Sequence, residues 1–141
     1  MGLHILIIVA RLVYRLVSRR LAFALVYRVS RVWTWWTFHS VADRDLAEAW
    51  RKVYAATGSG QRVSVDQERD ALYVRTDHCW IREQCMRWGC GPLVLGFCKG
   101  DADYWKARLG DWYWKDVGPE SGQSHCLARF GVNHGTVGYK T

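Results

Sequence analysis

The residues best equipped for chemistry are His78-Cys79, Cys85, Cys90, Cys98 and His125-Cys126. Cys85 and Cys90 have four residues between them, a spacing compatible with a structural zinc site, and the two His-Cys pairs could add ligands. Adjacent ligands such as His125 and Cys126 seldom both reach one metal, and no second cysteine pair has knuckle spacing. The metal candidates are therefore Cys85, Cys90, His125 and Cys126. The competing expectation is five reduced thiols, packed as small hydrophobes. An odd number of cysteines at irregular spacing also argues against a disulfide framework.

Catalytic patterns are absent from the sequence. Gly89-Cys-Gly91 lacks the third glycine and the strand–helix setting of a nucleotide loop. Asp101, Asp103, Asp111 and Asp116 show no paired spacing and read as solvated loop residues. The sequence predicts a non-enzyme with no cofactor.

The elements that would have to position such groups divide into a head and a domain. The formal net charge is +7, with an uneven distribution. Residues 1–42 carry Arg11, Arg15, Arg19, Arg20, Arg28 and Arg31, no lysine and no acid. The remainder is close to neutral. Nucleic-acid binders spread their cations over a polar face. Here the arginines sit among Leu, Val, Ile and Trp, so no nucleic acid is expected as partner. Residues 1–39 read as a basic, apolar, membrane-associated or membrane-embedded helical segment, and residues 40–141 as a small Trp/Cys-rich α+β domain.

At about 100° per residue, His4, Arg11, Arg15, Ser18 and Arg19 share one arc, and Leu, Ile and Val fill the rest. Arg20, Arg28 and Arg31 form a second stripe roughly opposite. Either the chain bends near Ser18-Arg19-Arg20, or the two stripes face different surroundings. A membrane span needs ~20 mostly apolar residues, and each arginine at mid-bilayer costs about 2.5–3.5 kcal/mol. A helix lying along an anionic surface costs less. Trp33, Trp35 and Trp36 are of the type enriched at headgroup level. The six arginines and these three tryptophans are the candidate contacts to lipid or partner.

Beyond the head, Ser40-Val-Ala-Asp43 reads as a capping-box variant before a helix over 41–56 with one aromatic face, ended by Gly58-Ser-Gly60. Runs 62–65 and 71–74 predict a hairpin. Residues 93–98 read as a strand, 103–109 as a short helix, 117–124 as a loop, and 126–132 with 136–140 as a second hairpin about Asn133-His-Gly135. The fold class is α+β: amphipathic helices first, then a small domain with one helix and short antiparallel strands. Nine tryptophans, six of them after residue 39, are a surplus for a chain of this size. Trp is enriched at interfaces, so other subunits are expected as partners.

A basic, acid-free, amphipathic head on a small Trp-rich domain resembles accessory subunits of mitochondrial inner-membrane respiratory complexes. The likeness is architectural, carried by residues 1–42 and the helix after Ser40, with no motif behind it. It implies a stabilising or assembly role at the mitochondrial inner membrane, among other subunits and anionic lipid. A stand-alone peripheral membrane binder, a small zinc or thiol protein and an organellar ribosome subunit are the alternatives.

Overall fold

A computed structural model describes residues 2–56, 62–68, 71–116 and 125–131. The helices are α1 (Gly2–Leu16), α2 (Arg19–Phe38), α3 (Leu46–Ala56), α4 (Trp80–Arg87) and α5 (Leu93–Leu109). The strands are β1 (Arg62–Gln67), β2 (Ala71–His78), β3 (Tyr113–Asp116) and β4 (Cys126–Gly131). The class is α+β, with the helical head in place. The chain forms two compact units, each from two stretches: Met1–Thr37 with Cys79–Tyr104, and Phe38–His78 with Trp105–Thr141.

The first unit is helical. Of the two alternatives for the arginine stripes, the bend near Ser18 is present, as a break between α1 and α2. Val17 N and Ser18 N both donate to Val13 O at 3.0 Å, and Ser18 Oγ accepts from Leu21 N at 3.4 Å. Ser18 thus caps α2 while its C=O takes the Ala22 N–H. The arginines change stripe at this break. Ile7, Ala10, Ala22, Val26, Leu93 and Phe97 are buried together at the centre.

Helix α2 meets α5 through small residues. A Cβ on Gly96 would lie 3.3 Å from Phe23 O, and one on Gly100 would run into Tyr27 O with Ser30 Cβ at 3.0 Å. Gly96 and Gly100 are four apart, so both open the same side of α5 to the backbone of α2. The seam is also hydrogen-bonded. Ser30 Oγ donates to Phe97 O at 2.8 Å, and Thr34 Oγ1 lies 3.0 Å from Ser30 O and 3.2 Å from Asp101 Oδ1. Ser30 and Thr34 are the buried polar residues of this unit among those described, and these bonds offset their desolvation.

The second unit is a four-stranded antiparallel sheet in the order β1-β2-β4-β3. Its β1–β2 hairpin, which the two runs predict, pairs Val65 with Val74. Phe38, Trp50, Trp105 and Phe130 form an aromatic centre, with Trp105 edge-on to Phe130 at 4.8 Å and Phe38 4.5 Å from Trp50. The aromatic face expected on the 41–56 helix is that of α3, where Trp50 stacks on Tyr54 at 5.2 Å. Arg108 donates to Phe38 O at 2.6 Å, to Val41 O, and to Asp43 Oδ1 at 3.0 Å. One cation thereby closes the carbonyl end of α2.

Three details depart from the sequence reading. Ser40 does not cap: a 3-10 turn over Asp43–Asp45 precedes α3, its N-cap is Ala42, and no side chain caps it. Residues 93–98, expected as a strand, begin α5, because a short apolar run buried against α1 and α2 satisfies a helix equally well. Asp101, expected in a solvated loop, lies on that same helix, as does Asp103, which opens the short helix expected over 103–109. Residues 58–60, 117–124 and 132–140, with the terminator, the loop and the arm of the second hairpin, fall outside the described residues. The other arm is β4, which pairs with β2 and β3.

Gly100→Ala should destabilise the protein by about 1–3 kcal/mol, despite the ~1 kcal/mol by which alanine favours a helix. The added methyl meets backbone atoms that cannot rotate away. Gly96→Ala, with its nearest contact at 3.3 Å, should cost less. Urea unfolding followed by circular dichroism measures both; equal stability of Gly100→Ala and wild type would contradict the close crossing.

A candidate membrane-facing surface and a cysteine cluster

Helix α1 has two apolar sides. Ile7 and Ala10 are buried in the core, with Leu6, Val13 and Tyr14 packed beside them. Ile5, Ile8, Val9, Leu12 and Leu16 occupy a separate arc of roughly 100°, and all are exposed, Leu16 by 78%. Two apolar arcs on one helix mean that folding covers only one of them.

The candidate arginines take up two kinds of position. Arg11 is half-buried, its guanidinium 4.9 Å from the centre of the Trp88 ring. The Arg15 guanidinium stands beside Gly89, where a Cβ would lie 2.9 Å from Nη2. Trp88 and Gly89 close the C-terminal end of α4, where a cation complements the exposed carbonyls. Arg19 lies 5.3 Å over Tyr14. The first stripe therefore braces α4 and the α1–α2 break while flanking the exposed arc. Arg20, Arg28 and Arg31 are exposed on α2. By helical phase they share its outer side with Leu21, Val32, Trp35 and Trp36, of which Trp36 is 70% exposed. Trp33 is exposed as well. This outer side of α2 is basic, aromatic and acid-free.

No pattern in the sequence pairs Asp101 and Asp103 with partners on α2. Asp103 Oδ2 accepts from Tyr27 Oη at 2.9 Å and from Lys99 Nζ at 3.0 Å. Burial raises the Asp103 pKa, but hydrogen bonds from Lys99 and Tyr27 and the charges of Lys99 and Arg31 outweigh that, leaving it below the ordinary carboxylate value. This network ties α2 to α5 on the partly wet flank of the crossing.

All five cysteines are thiols. Cys85 and Cys90, at 1% and 0% exposure, are in contact within the first unit. Burial pushes the Cys85 thiol up to about 12, and the neighbouring Cys90, Cys79 and Cys98 add to the shift. At neutral pH Cys85 is a protonated, sluggish thiol. His125 and Cys126 belong to the second unit, at the start of β4. Among the described residues no group of three His, Cys, Asp or Glu side chains is placed to hold a metal. An open cleft lined by Arg51, Tyr54, Ala55, Val63 and Val65 presents no carboxylate, thiol or imidazole. Among the described residues no helix is long and apolar enough to cross a membrane.

No family model matches the chain, and neither does any curated protein or solved structure.

Asp103 gives a test of the polar seam. A carboxylate with a lowered pKa contributes stability above the ordinary carboxylate range and loses it as pH falls through its folded value. Asp103→Asn should be less stable than wild type at pH 7, and the gap should narrow below about pH 4. Thermal unfolding across that range reads the effect; a gap independent of pH would mean that the ionised carboxylate is not what holds Tyr27 and Lys99.

Proposed function

We propose that this chain is a non-catalytic accessory subunit of a membrane complex, of the kind found in mitochondrial inner-membrane respiratory complexes. Its helical unit rests on an anionic leaflet. The observation that carries the reading is the second apolar arc of α1, Ile5, Ile8, Val9, Leu12 and Leu16, left exposed by a helix whose other side is packed. Inserting those side chains among acyl chains removes apolar surface from water at about 1 kcal/mol for each half-exposed residue. Exposed arginines on α2 add about 1 kcal/mol each near anionic headgroups. This is how an amphipathic helix lies in an interface without crossing it.

Trp112 and Trp114 favour a protein partner in addition to lipid. Both belong to the second unit and are 48% and 50% exposed. Tryptophan is among the residues enriched where one subunit covers another. A lone peripheral protein, the second reading, supplies no such cover.

Flotation with vesicles tests the lipid arm. Wild-type protein should rise with vesicles containing phosphatidylglycerol or cardiolipin, and less with pure phosphatidylcholine or at high salt. Leu12→Asp with Leu16→Asp should weaken anionic-vesicle binding at least tenfold, since about 1.4 kcal/mol is a factor of ten, while leaving the unfolding midpoint near wild type. Indifference of the double variant would remove α1 from the reading. A native gel of detergent-extracted membranes tests the subunit arm: migration in a large complex supports it, and migration as a monomer favours the lone peripheral protein.

A further inference from the structure

Helix α4 ends in a cap with an unusual pair of side chains. Cys90 N donates to Cys85 O at 2.8 Å, Gly89 N donates to Met86 O at 3.0 Å, and Gly89 has φ 68°. This is a Schellman motif. Its two backbone bonds turn the chain back so that the residue after the glycine packs on the residue three from the helix end. Two hydrophobes normally fill those places. Here they are Cys90 and Cys85, hydrogen-bonded to each other and closed off from water.

Disulfides join residues whose Cα atoms lie roughly 4.4–6.8 Å apart, with Cβ atoms directed toward one another. A backbone hydrogen bond between the two residues themselves holds this pair within reach, and the motif faces their side chains together. The surroundings then select the chemistry. Ile7, Ala10, Leu93 and Val94 belong to the same buried cluster. A thiolate there is disfavoured by desolvation, whereas a disulfide carries no charge.

We propose that Cys85 and Cys90 form a reversible dithiol–disulfide site that exchanges with a small-molecule disulfide. One cysteine, deprotonated as the end of α4 opens, attacks the external disulfide. A mixed disulfide forms and one external thiol leaves. The second cysteine, giving up its proton, attacks the protein sulfur of that mixed disulfide and expels the second thiol. The protein gives up two electrons and two protons, and the external disulfide takes them up. Opening requires only a short element: α4 has eight residues, and Arg82, Glu83, Met86 and Arg87 are exposed on its outer side. Helices of that length hold through tertiary contacts rather than by themselves. The site does not depend on where the chain resides.

The full chain is equilibrated in mixtures of reduced and oxidised glutathione, both from the folded state and during refolding from guanidinium. It is then quenched in acid, alkylated and digested with trypsin. Cleavage at Arg87 places Cys85 in peptide 83–87 and Cys90 in peptide 88–99. The expected result is these peptides joined and lighter by two hydrogens, with Cys85 and Cys90 losing alkylation together as oxidised glutathione rises. Cys98→Ser should leave the link intact. Cys85→Ser and Cys90→Ser should each abolish it, the remaining cysteine being recovered as a thiol or as its unresolved mixed disulfide with glutathione. In the wild-type chain, a link from either cysteine to Cys79 or Cys98, a glutathione adduct that persists on one of them, or stoichiometric zinc or copper that protects both would overturn the site. So would failure to close from both directions.

Discussion

The crossing of α2 over α5 is the constraint on which the helical unit depends. Gly96 and Gly100 let the two backbones approach. At that distance hydrogen bonds between the helices are added to the apolar packing of Phe23, Val26 and Phe97. Ser30 and Thr34 lie buried because Phe97 O accepts from Ser30, and the single Thr34 hydroxyl proton is shared between Ser30 O and Asp101 Oδ1. Tyr27 and Asp103 extend the same seam toward solvent. With α5 fixed this way, its first turns carry Leu93, Val94 and Phe97 against Ile7 and Ala10 of α1. The inner side of α1 is then occupied, and the outer one is left over.

That sequence of dependencies gives the arginines a double part. The first stripe would be costly among apolar residues unless each cation found a partner. Arg11 finds the face of Trp88, Arg19 finds Tyr14, and Arg15 stands at the carbonyl end of α4. Long side chains can lay their stems on apolar surface and still present charge at its margin. On the proposed reading, the residues that brace α4 are also those that border the lipid-facing arc.

The sequence shows these features unevenly, for identifiable reasons. The break at Ser18 is legible because two arginine stripes differ in helical phase, and phase depends on sequence alone. The β1–β2 hairpin is legible because two branched, alternating runs flank a polar turn. Residues 93–98 mislead because five apolar positions around one glycine fit a buried strand as well as a buried helix. The partners of Asp101 and Asp103 are hidden because Thr34 and Tyr27 lie 67 and 76 positions away, a pairing that only the tertiary fold creates. Cys85 and Cys90 attract notice for their zinc-like spacing, yet it is Gly89 at positive φ that brings them together. That signal is a backbone one, easily passed over beside the thiols.

Each compact unit is assembled from two separated stretches of chain, and this has a consequence for the order of synthesis. The arginine-rich helices leave the ribosome before the segments they pack against. Their packing partners, α4 and the first turns of α5, come only after residues 38–78 have been made. At roughly 5–20 residues per second, the nascent head spends several seconds with both apolar sides of α1 bare. During that interval it is a substrate for whatever binds greasy, basic helices at the exit tunnel. The later arrival of Leu93, Val94 and Phe97 then covers the inner side alone.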